Sequence, residues 1–287
     1  MAKRTLLKVL PEVSSALSLS KAVVALESTI LAHGLPHPEN LMLAKELSSI
    51  IRSADNQAIP ATIAMKDGMC CVGLSSEEIQ DLCSSSDSSN NIRAIKCSTR
   101  DMPLFLAKKP AETWGATTVA STMKIAHLAG ISTFVTGGTG GVHRGGEIDM
   151  DISADLPELA RTPVVVVSAG VKSILDIGLT LETLETLGVP VATYGSNEFP
   201  AFFSPSSGFE APNRVDSAEE VASAYWTARD LGMLTGMLIT VPNPDPAGAE
   251  VESAIQEALA EAKEMGLSGK NVTPFLLKAV SDKSQGK

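Results

Sequence analysis

The sequence has 287 residues, of which 44% are hydrophobic, and a formal net charge of −10. A chain of this length can bury the core of one large α/β domain or of two smaller ones. The acidic charge argues against a nucleic-acid partner, since phosphate backbones attract basic surfaces, and the absence of any apolar run near ~20 residues argues against a membrane partner.

The opening of the chain, MAKRTLLKVL, is basic but lacks the apolar core and cleavage site of a signal peptide. We interpret residues 1–20 as a peripheral lead-in and residues 21–287 as a single domain. The four cysteines form no CxxC pair, which indicates a reducing compartment and no structural zinc. We therefore expect a cytoplasmic protein, with targeting to an organelle left open.

The first strand predicted within that domain is Lys21–Glu27, KAVVALE, and it ends on a carboxylate. A carboxylate at a strand exit is a surface charge, a cap or a functional acid, and this segment alone does not decide among them. Prolines then break the chain, and apolar residues at helical spacing predict a helix over 39–52. His33 and His37 flank the break; we interpret them as surface residues, with a role as ligands left open.

The next stretch indicates that the central sheet is mixed. In residues 59–74, two β-rich runs flank Lys66-Asp67-Gly68, which is typical of a hairpin. Residues 84–91, rich in Ser and Asn, predict a solvated loop. A short strand over 94–97 then includes Lys96, which either binds a phosphate or is simply solvated, and its position alone favours the second interpretation.

A small-residue helix follows Gly115–Val119, GATTV. A Gly-Ala-Thr-Thr start exposes free backbone N–H groups and hydroxyls that can hold an anion. The same pattern also serves as an ordinary helix cap. The sequence therefore allows a phosphate cradle here without requiring one.

Chemically useful residues are concentrated between Thr136 and Lys172. A glycine-rich turn follows the strand predicted over 131–135, and its glycines let backbone N–H groups approach a ligand closely. Residues 143–155 hold two basic side chains and four carboxylates, which repel one another unless a cation or substrate compensates them. The valine run 164–167 predicts a buried strand that leads to Lys172, near the sheet edge where α/β proteins bind ligands.

The rest of the chain continues an alternation of helices and strands. The predicted segments are helix 173–187, strand 189–194, a phenylalanine-rich loop 197–209, helix 217–231, strand 236–241 and helix 249–265. The loop either lines a pocket or covers the core. The alternation predicts an α/β fold, a three-layer α/β/α sandwich with a mixed central sheet.

Seven segments, in order over roughly residues 20–277, closely resemble the pseudouridine-5′-phosphate glycosidases, a group also known for its similarity to indigoidine synthase A. They are ALESTILAHGLPHPEN, AIKCSTRD, GATTVASTM, FVTGGTGGVHRG, DISADLPELARTPVVVVSAGVKSILDIG, FPAFF and GKNVTPFLL. The resemblance implies reversible cleavage of the carbon–carbon glycosidic bond of pseudouridine 5′-phosphate to uracil and ribose 5-phosphate. It also implies a three-layer α/β/α fold, homotrimers and a divalent ion, typically Mn²⁺.

The resemblance assigns roles to particular residues. Lys172 corresponds to the covalent lysine, Glu27 to the proton donor and Asp151 to the metal ligand. Substrate contacts correspond to Lys96, Val119, Ser153, Ala154 and Asp155. We expect Lys96 and the Thr117-Thr118-Val119 helix start to hold the phosphate and sugar, and the Thr136-Gly137-Gly138 turn to face uracil.

The reaction explains these residue types. Because the leaving atom is a ring carbon, acid assistance by two carboxylates is inadequate. A lysine can attack the anomeric carbon, open the ribose and form an imine that acts as an electron sink. Part of the amine must then be unprotonated, and we expect burial of Lys172 by the valine-rich strand, together with a nearby metal, to lower its pKa. Glu27 would shuttle protons to the sugar oxygen and the uracil carbon. One aspartate plus water ligands suits Mg²⁺ or Mn²⁺.

Two features depart from the family pattern. The KPAETW segment is slightly long, and family members continue past TPFLL where this sequence ends in KAVSDKSQGK. Two other functions stay open. One is a pigment-synthesis or sugar-phosphate imine enzyme with a different base. The other is a catalytically silent binding or scaffold protein, against which the joint presence of Glu27, Asp151 and Lys172 argues.

Overall fold

The structure is a computed structural model that describes residues 6–54, 57–86, 92–204, 206–244 and 249–267, with Phe275 and Ala279. The chain divides into two compact units. The first comprises Met1–Thr136 and Thr162–Val166, and the second Gly137–Arg161 and Val167–Lys287. The single domain over 21–287 stays a prediction, and most of the predicted GKNVTPFLL match lies outside the described residues.

The strands are β1 (Leu7–Val9), β2 (Val23–Leu26), β3 (Ile59–Lys66), β4 (Met69–Val72), β5 (Arg93–Cys97), β6 (Thr113–Thr117), β7 (Thr133–Val135), β8 (Val142–His143), β9 (Val165–Ser168), β10 (Leu175–Asp176), β11 (Val191–Tyr194), β12 (Arg214–Val215) and β13 (Met237–Thr240). The helices are α1 (Pro11–Ser18), α2 (Glu39–Ser53), α3 (Ser76–Ser84), α4 (Met102–Lys108), α5 (Val119–Ala129), α6 (Gly146–Asp149), α7 (Asp155–Leu159), α8 (Ile177–Thr186), α9 (Ala218–Asp230) and α10 (Ala249–Glu264). A π-helix, Ile30–Gly34, precedes α2.

The first unit is built on a mixed sheet. Its strand order is β1-β4-β3-β2-β7, and β6 and β5 extend from β3. Strand β2 is parallel to β3 and β7, whereas β3 is antiparallel to β4 and β6. The hairpin predicted over 59–74 is confirmed: Asp67 and Gly68, with φ of 53° and 76°, supply the left-handed backbone that a tight hairpin turn requires.

The start of the chain contributes to this unit. Strand β1 pairs in parallel with β4, and Val13 on α1 is fully buried. The helix predicted over 39–52 is confirmed as α2. Helix α3 begins with a reciprocal cap, in which Ser75 and Glu78 bond each other's backbone N–H groups.

The second unit contains the parallel strands β13, β11 and β12, and the N–H of Val241 after β13 donates to the carbonyl of Ser168 in β9 at 2.8 Å. Strands β8 and β10 form a separate antiparallel pair. The helix predicted over 173–187 starts later than expected. It begins at Ile177 because Asp176 accepts the N–H of Leu179 at 2.9 Å and caps the helix.

The four cysteines are buried and free. Burial raises the pKa of each thiol to about 11, so all four are protonated and poorly nucleophilic at neutral pH. Within the described ranges, no helix is long and apolar enough to span a membrane.

Candidate active site

Glu27 lies directly after β2 and is 9% exposed. Leu26 is the register partner of Val135 in the parallel pair of β2 and β7, so the next residues along, Glu27 and Thr136, emerge side by side. The hydroxyl of Thr136 donates a hydrogen bond to Oε1 of Glu27. The acid predicted from the sequence is therefore fixed at the carboxyl ends of two parallel strands, a usual place for ligand binding in α/β proteins.

A buried network of hydroxyls supports the end of β2. Ser28 Oγ accepts the N–H of Thr117 at 2.8 Å and lies 3.1 Å from the Thr117 hydroxyl. The Thr117 hydroxyl donates to the carbonyl of Ile63 at 2.6 Å and accepts from Thr122 at 2.9 Å. Because Thr117 is fully buried, the prediction that its side chain helps to hold phosphate is wrong. It instead joins β2, β3 and α5.

Lys96 and Val119 lie close along the same unit. Lys96 is exposed in β5, one residue before Cys97. The Cys97 carbonyl accepts the N–H of Thr118 at 3.3 Å and the hydroxyl of Ser121 at 2.7 Å, which ties the end of β5 to the start of α5. Val119 as a whole residue is 1% exposed, so its side chain is not open to a ligand, and its N–H has no partner within the helix.

In the second unit, Asp155 holds the glycine-rich turn. Its carboxylate is buried, and Oδ2 accepts the N–H of Gly140 at 2.9 Å. The N–H of Asp155 donates to Ser153 Oγ at 3.2 Å, while Ala154 is exposed. A Cβ on Gly140 would lie 2.2 Å from Ser153 Oγ and 2.7 Å from Asp155 Oδ2. The predicted Ser153-Ala154-Asp155 contact segment therefore packs directly against the turn.

Lys172 is attached to the same turn through its backbone. Its N–H donates to the carbonyl of Thr139 at 3.1 Å, and the N–H of Thr139 donates to the carbonyl of Gly170 at 3.0 Å. The expectation that the valine run buries Lys172 is wrong, since the residue is exposed in this chain. Val171 is the residue that points into the core, where it is fully buried, and the following side chain projects outward.

Asp151 is partly exposed and faces a histidine. Its Oδ2 lies 3.9 Å from Nδ1 of His143, and its carbonyl accepts the His143 N–H at 2.9 Å. The N–H of Asp151 donates to Oδ1 of Asp149 at 3.0 Å. In the part of the chain that the structure describes, no three His, Cys, Asp or Glu residues are grouped so as to hold a metal ion.

The phenylalanine-rich loop over 197–209 both covers the core and lines a cavity. Phe199 is fully buried, and Ala201 bridges to Gly170, two residues before Lys172. The cavity has a volume of about 370 Å³. It is bordered by Arg144, by Ser173 and by serines 204, 206 and 207 of the loop.

The residues predicted from the sequence fall into two sets. The first unit contains Glu27, Lys96 and Val119, and the second contains Asp151, Ser153, Ala154, Asp155 and Lys172. Sequence reasoning missed Thr136 as the partner of Glu27. The available signal was that each residue directly follows a predicted strand, because neighbouring parallel strands bring such positions together.

The first unit has a buried acid and an exposed lysine at strand ends, and the second has an exposed lysine and a cavity bordered by polar side chains. On an α/β scaffold, residues of these types are typical of an enzyme that acts on a small polar substrate. The chain belongs to the indigoidine synthase A-like protein family, whose model matches residues 12–287. The family resemblance predicted from the seven segments is therefore confirmed.

Similar proteins of named function come from bacteria and a plant. A relative from Deinococcus radiodurans is 52% identical over 281 residues, which cover 96% of this chain and 86% of the relative. One from Clostridium botulinum is 51% identical, covering 98% and 89%. One from Arabidopsis thaliana is 50% identical, covering 99% and 84%. All three are named pseudouridine-5′-phosphate glycosidase.

Two solved structures share the fold. The prealnumycin C-glycosynthase AlnA, in complex with ribulose 5-phosphate, is 38% identical with a TM-score of 0.86, covering 99% of this chain and 90% of AlnA. An indigoidine synthase A-like protein from Thermotoga maritima is 33% identical with a TM-score of 0.83, covering 100% and 90%. The α/β fold with a mixed central sheet, predicted from the sequence, is confirmed.

Proposed function

We propose that the protein is a pseudouridine-5′-phosphate glycosidase, which reversibly cleaves the carbon–carbon glycosidic bond of pseudouridine 5′-phosphate to give uracil and ribose 5-phosphate. The observation that supports this most strongly is identity of 50–52%, across 96–99% of the chain, to relatives of that name. The presence of an acid, a lysine and a metal-type carboxylate at the corresponding positions agrees with an active enzyme rather than a silent scaffold.

Lys172 is the proposed nucleophile, and the balance of atoms fixes the order of steps. Its neutral amine forms a bond to C1′ as the C1′–O4′ bond breaks, and O4′ takes a proton. The C1′–C5 bond then breaks, its electron pair stays on C5 of uracil, which is protonated, and the nitrogen lone pair forms the C1′=N imine. Water hydrolyses this imine to ribose 5-phosphate and free lysine. The imine thus forms as the carbon–carbon bond breaks, and C5 of uracil, not the imine expected from the sequence, accepts the electron pair.

Glu27 is the proposed proton donor for O4′ and C5. The hydrogen bond from Thr136 to Oε1 supports this role because it fixes the carboxyl group and occupies one of its two oxygens. General acid–base steps of this kind contribute roughly 10²–10⁴-fold to enzymatic rates.

Lys96 and the start of α5 are the proposed phosphate site. Exposure of Lys96 and the N-terminus of the eleven-residue helix α5, whose positive partial charge attracts an anion, support this. Contacts from Ser153, Ala154 and Asp155 to the substrate are also proposed. The polar turn that Asp155 organises through Gly140 supports them.

A divalent ion, Mn²⁺, is the proposed cofactor at Asp151. The donors fit a hard ion that keeps several water ligands, because the Asp151 carboxylate is partly exposed and His143 Nδ1 is 3.9 Å from it. When bound, the ion would supply positive charge that stabilises developing negative charge on oxygen. Asp151 would hold it, and the N–H of Asp151, which donates to Oδ1 of Asp149, would fix the backbone that carries the ligand.

A second candidate function is synthesis of a carbon–carbon glycosidic bond to a different aromatic base. The specific observation in its favour is the likeness to the C-glycosynthase AlnA, which is 38% identical. The same lysine chemistry, run in reverse, would serve it. The higher identity to the glycosidases favours uracil as the base.

The deciding experiment incubates the protein with uracil and ribose 5-phosphate, with and without Mn²⁺, and measures pseudouridine 5′-phosphate by chromatography and mass spectrometry. Coupling that requires Lys172, tested with Lys172→Ala, is the expected result. Failure to couple uracil, together with coupling of another aromatic base, would establish the second candidate instead.

The oligomeric state and the cellular compartment of the protein are also proposals. We propose a cytoplasmic homotrimer, as the family resemblance implies. Apolar side chains on and after α9 support assembly, since Trp226, Leu231 and Leu234 are 64%, 72% and 71% exposed and association would remove them from water. Light scattering coupled to size-exclusion chromatography gives the subunit number directly.

A further inference from the structure

The π-helix Ile30–Gly34 starts beside the strand that pairs with β5. The hydroxyl of Thr29 donates to the carbonyl of Thr117 at 2.8 Å and approaches that of Ala116 at 3.4 Å. Ala116 is the register partner of Lys96 in the parallel pair of β5 and β6. The hydrogen bonds from the Thr29 hydroxyl to the carbonyls of β6 therefore place the π-helix next to Lys96 and to the start of α5.

His33 lies in the last turn of this π-helix. More than a third of its surface is open to solvent, and protein atoms enclose the rest. Partial burial, and secondly the positive charge of Lys96, lower the pKa of His33. This agrees with the placement of the π-helix next to Lys96 by the Thr29 hydrogen bonds and by the register of β5 and β6.

The packed elements around His33 and Lys96 contribute little negative charge to these two side chains. Helices α2 and α3 contact the π-helix, yet none of their carboxylates is a cause of the His33 pKa shift. Among the residues that the structure describes, Lys96 forms no ion pair. Two basic side chains therefore lie beside the N-terminus of α5, and no carboxylate within the described residues forms an ion pair with Lys96. Such an arrangement suits a bound anion.

We propose that His33 is an additional phosphate ligand, which binds the 5′-phosphate of the substrate as an imidazolium together with Lys96 and the backbone N–H of Val119. This inference rests on the proposed function and adds a residue to it. A dianionic phosphate accepts charge-assisted hydrogen bonds from such groups, which are stronger than neutral ones. His33 is thus a binding group whose contribution depends on its protonation.

The direction of the pH effect follows from linkage. In the free protein the lowered pKa keeps His33 neutral at pH 7, whereas a bound dianion would raise that pKa. Binding then takes up a proton, and the contribution of His33 is present at low pH and lost as the pH rises through the pKa of the complex. The phosphate itself loses its second charge below about pH 6 in every variant.

The test compares wild type, His33→Gln and His127→Gln as intact chains by calorimetric titration with ribose 5-phosphate. His127 lies in the last turn of α5, at the other end from Val119, and serves as the matched control. Titrations from about pH 6.5 to about pH 8.5, in buffers of different ionisation enthalpy, give the affinity and the protons taken up. The ratio of the variant's affinity to that of wild type at each pH is independent of the protonation of the ligand's phosphate, because that protonation affects both proteins equally.

We expect His33→Gln to weaken binding by roughly tenfold near pH 6.5 and by about twofold or less near pH 8.5, with loss of the proton uptake. His127→Gln should match wild type at both values. In turnover assays His33→Gln should raise KM and leave kcat nearly unchanged, as expected for a contact made equally to substrate and transition state.

An affinity ratio of one at every pH, with unchanged proton uptake, would overturn the role of His33 while leaving the proposed function intact. Absence of any binding of ribose 5-phosphate to wild type would overturn the proposed function itself. If His33→Gln fails to fold, NMR titration of the wild-type histidines, of which the sequence has four, decides the matter. A His33 pKa that does not rise on addition of ribose 5-phosphate contradicts the inference.

Discussion

The hydroxyl of Thr136 donates a hydrogen bond to Oε1 of Glu27, and the register of β2 and β7 sets the two residues side by side. Thr136 is 8% exposed and Glu27 is 9% exposed, so the contact is shielded from water, where hydrogen bonds to a carboxyl group are stronger than at the surface. This contact gives the acid a fixed orientation and distinguishes its two oxygens.

Replacing Thr136 by valine should therefore reduce kcat. Valine keeps the volume but removes the donor, so the carboxyl group loses a contact that orients it and its proton is less well placed. We expect a loss of roughly tenfold in kcat with a small change in KM. The matched variant is Thr136→Ser, which keeps the hydroxyl and should stay within about threefold of wild type. Equal rates for the valine variant and wild type would show that Thr136 does not position Glu27.

Glu27→Gln separates proton transfer from binding. The amide oxygen can still accept the Thr136 hydrogen bond, but the side chain can no longer donate an acidic proton. We expect kcat to fall by about 10²–10⁴-fold, while the affinity for ribose 5-phosphate stays close to that of wild type. A variant that turns over normally once saturated, but binds poorly, would assign Glu27 to binding and not to proton transfer.

The fold was predictable where local patterns decide it. Alternation of apolar segments predicted most strands and helices, and Asp67-Gly68 predicted the hairpin turn because few residues adopt its backbone conformation. Predicted helix boundaries were wrong where a capping side chain sets the first residue of the helix. Asp176, for example, caps α8, which therefore begins later than the apolar pattern indicates. Only the structure shows which of several candidate caps is used.

The sequence was sufficient to select candidate site residues but not to predict which of their side chains are buried and which are exposed. Glu27 and Lys172 were singled out by their positions after strands, yet the sequence predicted burial for Lys172, which is exposed, and a ligand role for the Thr117 hydroxyl, which is buried. The exposure of Lys172 depends on which side chains alternate into the core, and a shift of one residue exchanges buried and exposed positions. The burial of the Thr117 hydroxyl depends on hydrogen bonds to Ser28 and Ile63, which are distant in sequence.

Substitution of Gly140 by alanine should destabilise the protein more than substitution of Gly137, which lies in the same turn. A Cβ at Gly140 would clash with Ser153 and Asp155, whereas one at Gly137 would meet nothing within 4 Å. We expect Gly140→Ala to destabilise the protein by roughly 1–3 kcal/mol and to reduce kcat/KM. Gly137→Ala should stay within about 0.5 kcal/mol of wild type in urea unfolding. Similar stabilities for the two variants would contradict the packing described here.

Lys172 should be the lysine that forms the covalent intermediate. Its exposed side chain and its backbone bond to Thr139 mean that Lys172→Ala removes the amine with little effect on folding. We expect turnover to be abolished and the melting temperature to be nearly unchanged. Borohydride reduction in the presence of ribose 5-phosphate should fix the sugar to Lys172, as peptide mass spectrometry can show. Label on Lys96 instead would exchange the proposed roles of the two lysines.

Removal of metal should abolish activity if Asp151 holds the proposed ion. Because Asp151 would be the main protein ligand and water would supply most others, the ion should be weakly held, so dialysis against EDTA should inactivate the protein and Mn²⁺ should restore it.

Asp151→Asn, which loses the charge and keeps the shape, should raise the Mn²⁺ concentration for half-maximal activity by at least about tenfold. Glu147→Gln removes one charge from the same acidic segment at an exposed position and should leave that concentration within about twofold of wild type, because a remote charge in water contributes little. If the two variants respond alike, general charge and not ligation explains the effect. Full activity after EDTA treatment would show that the chain works without the ion.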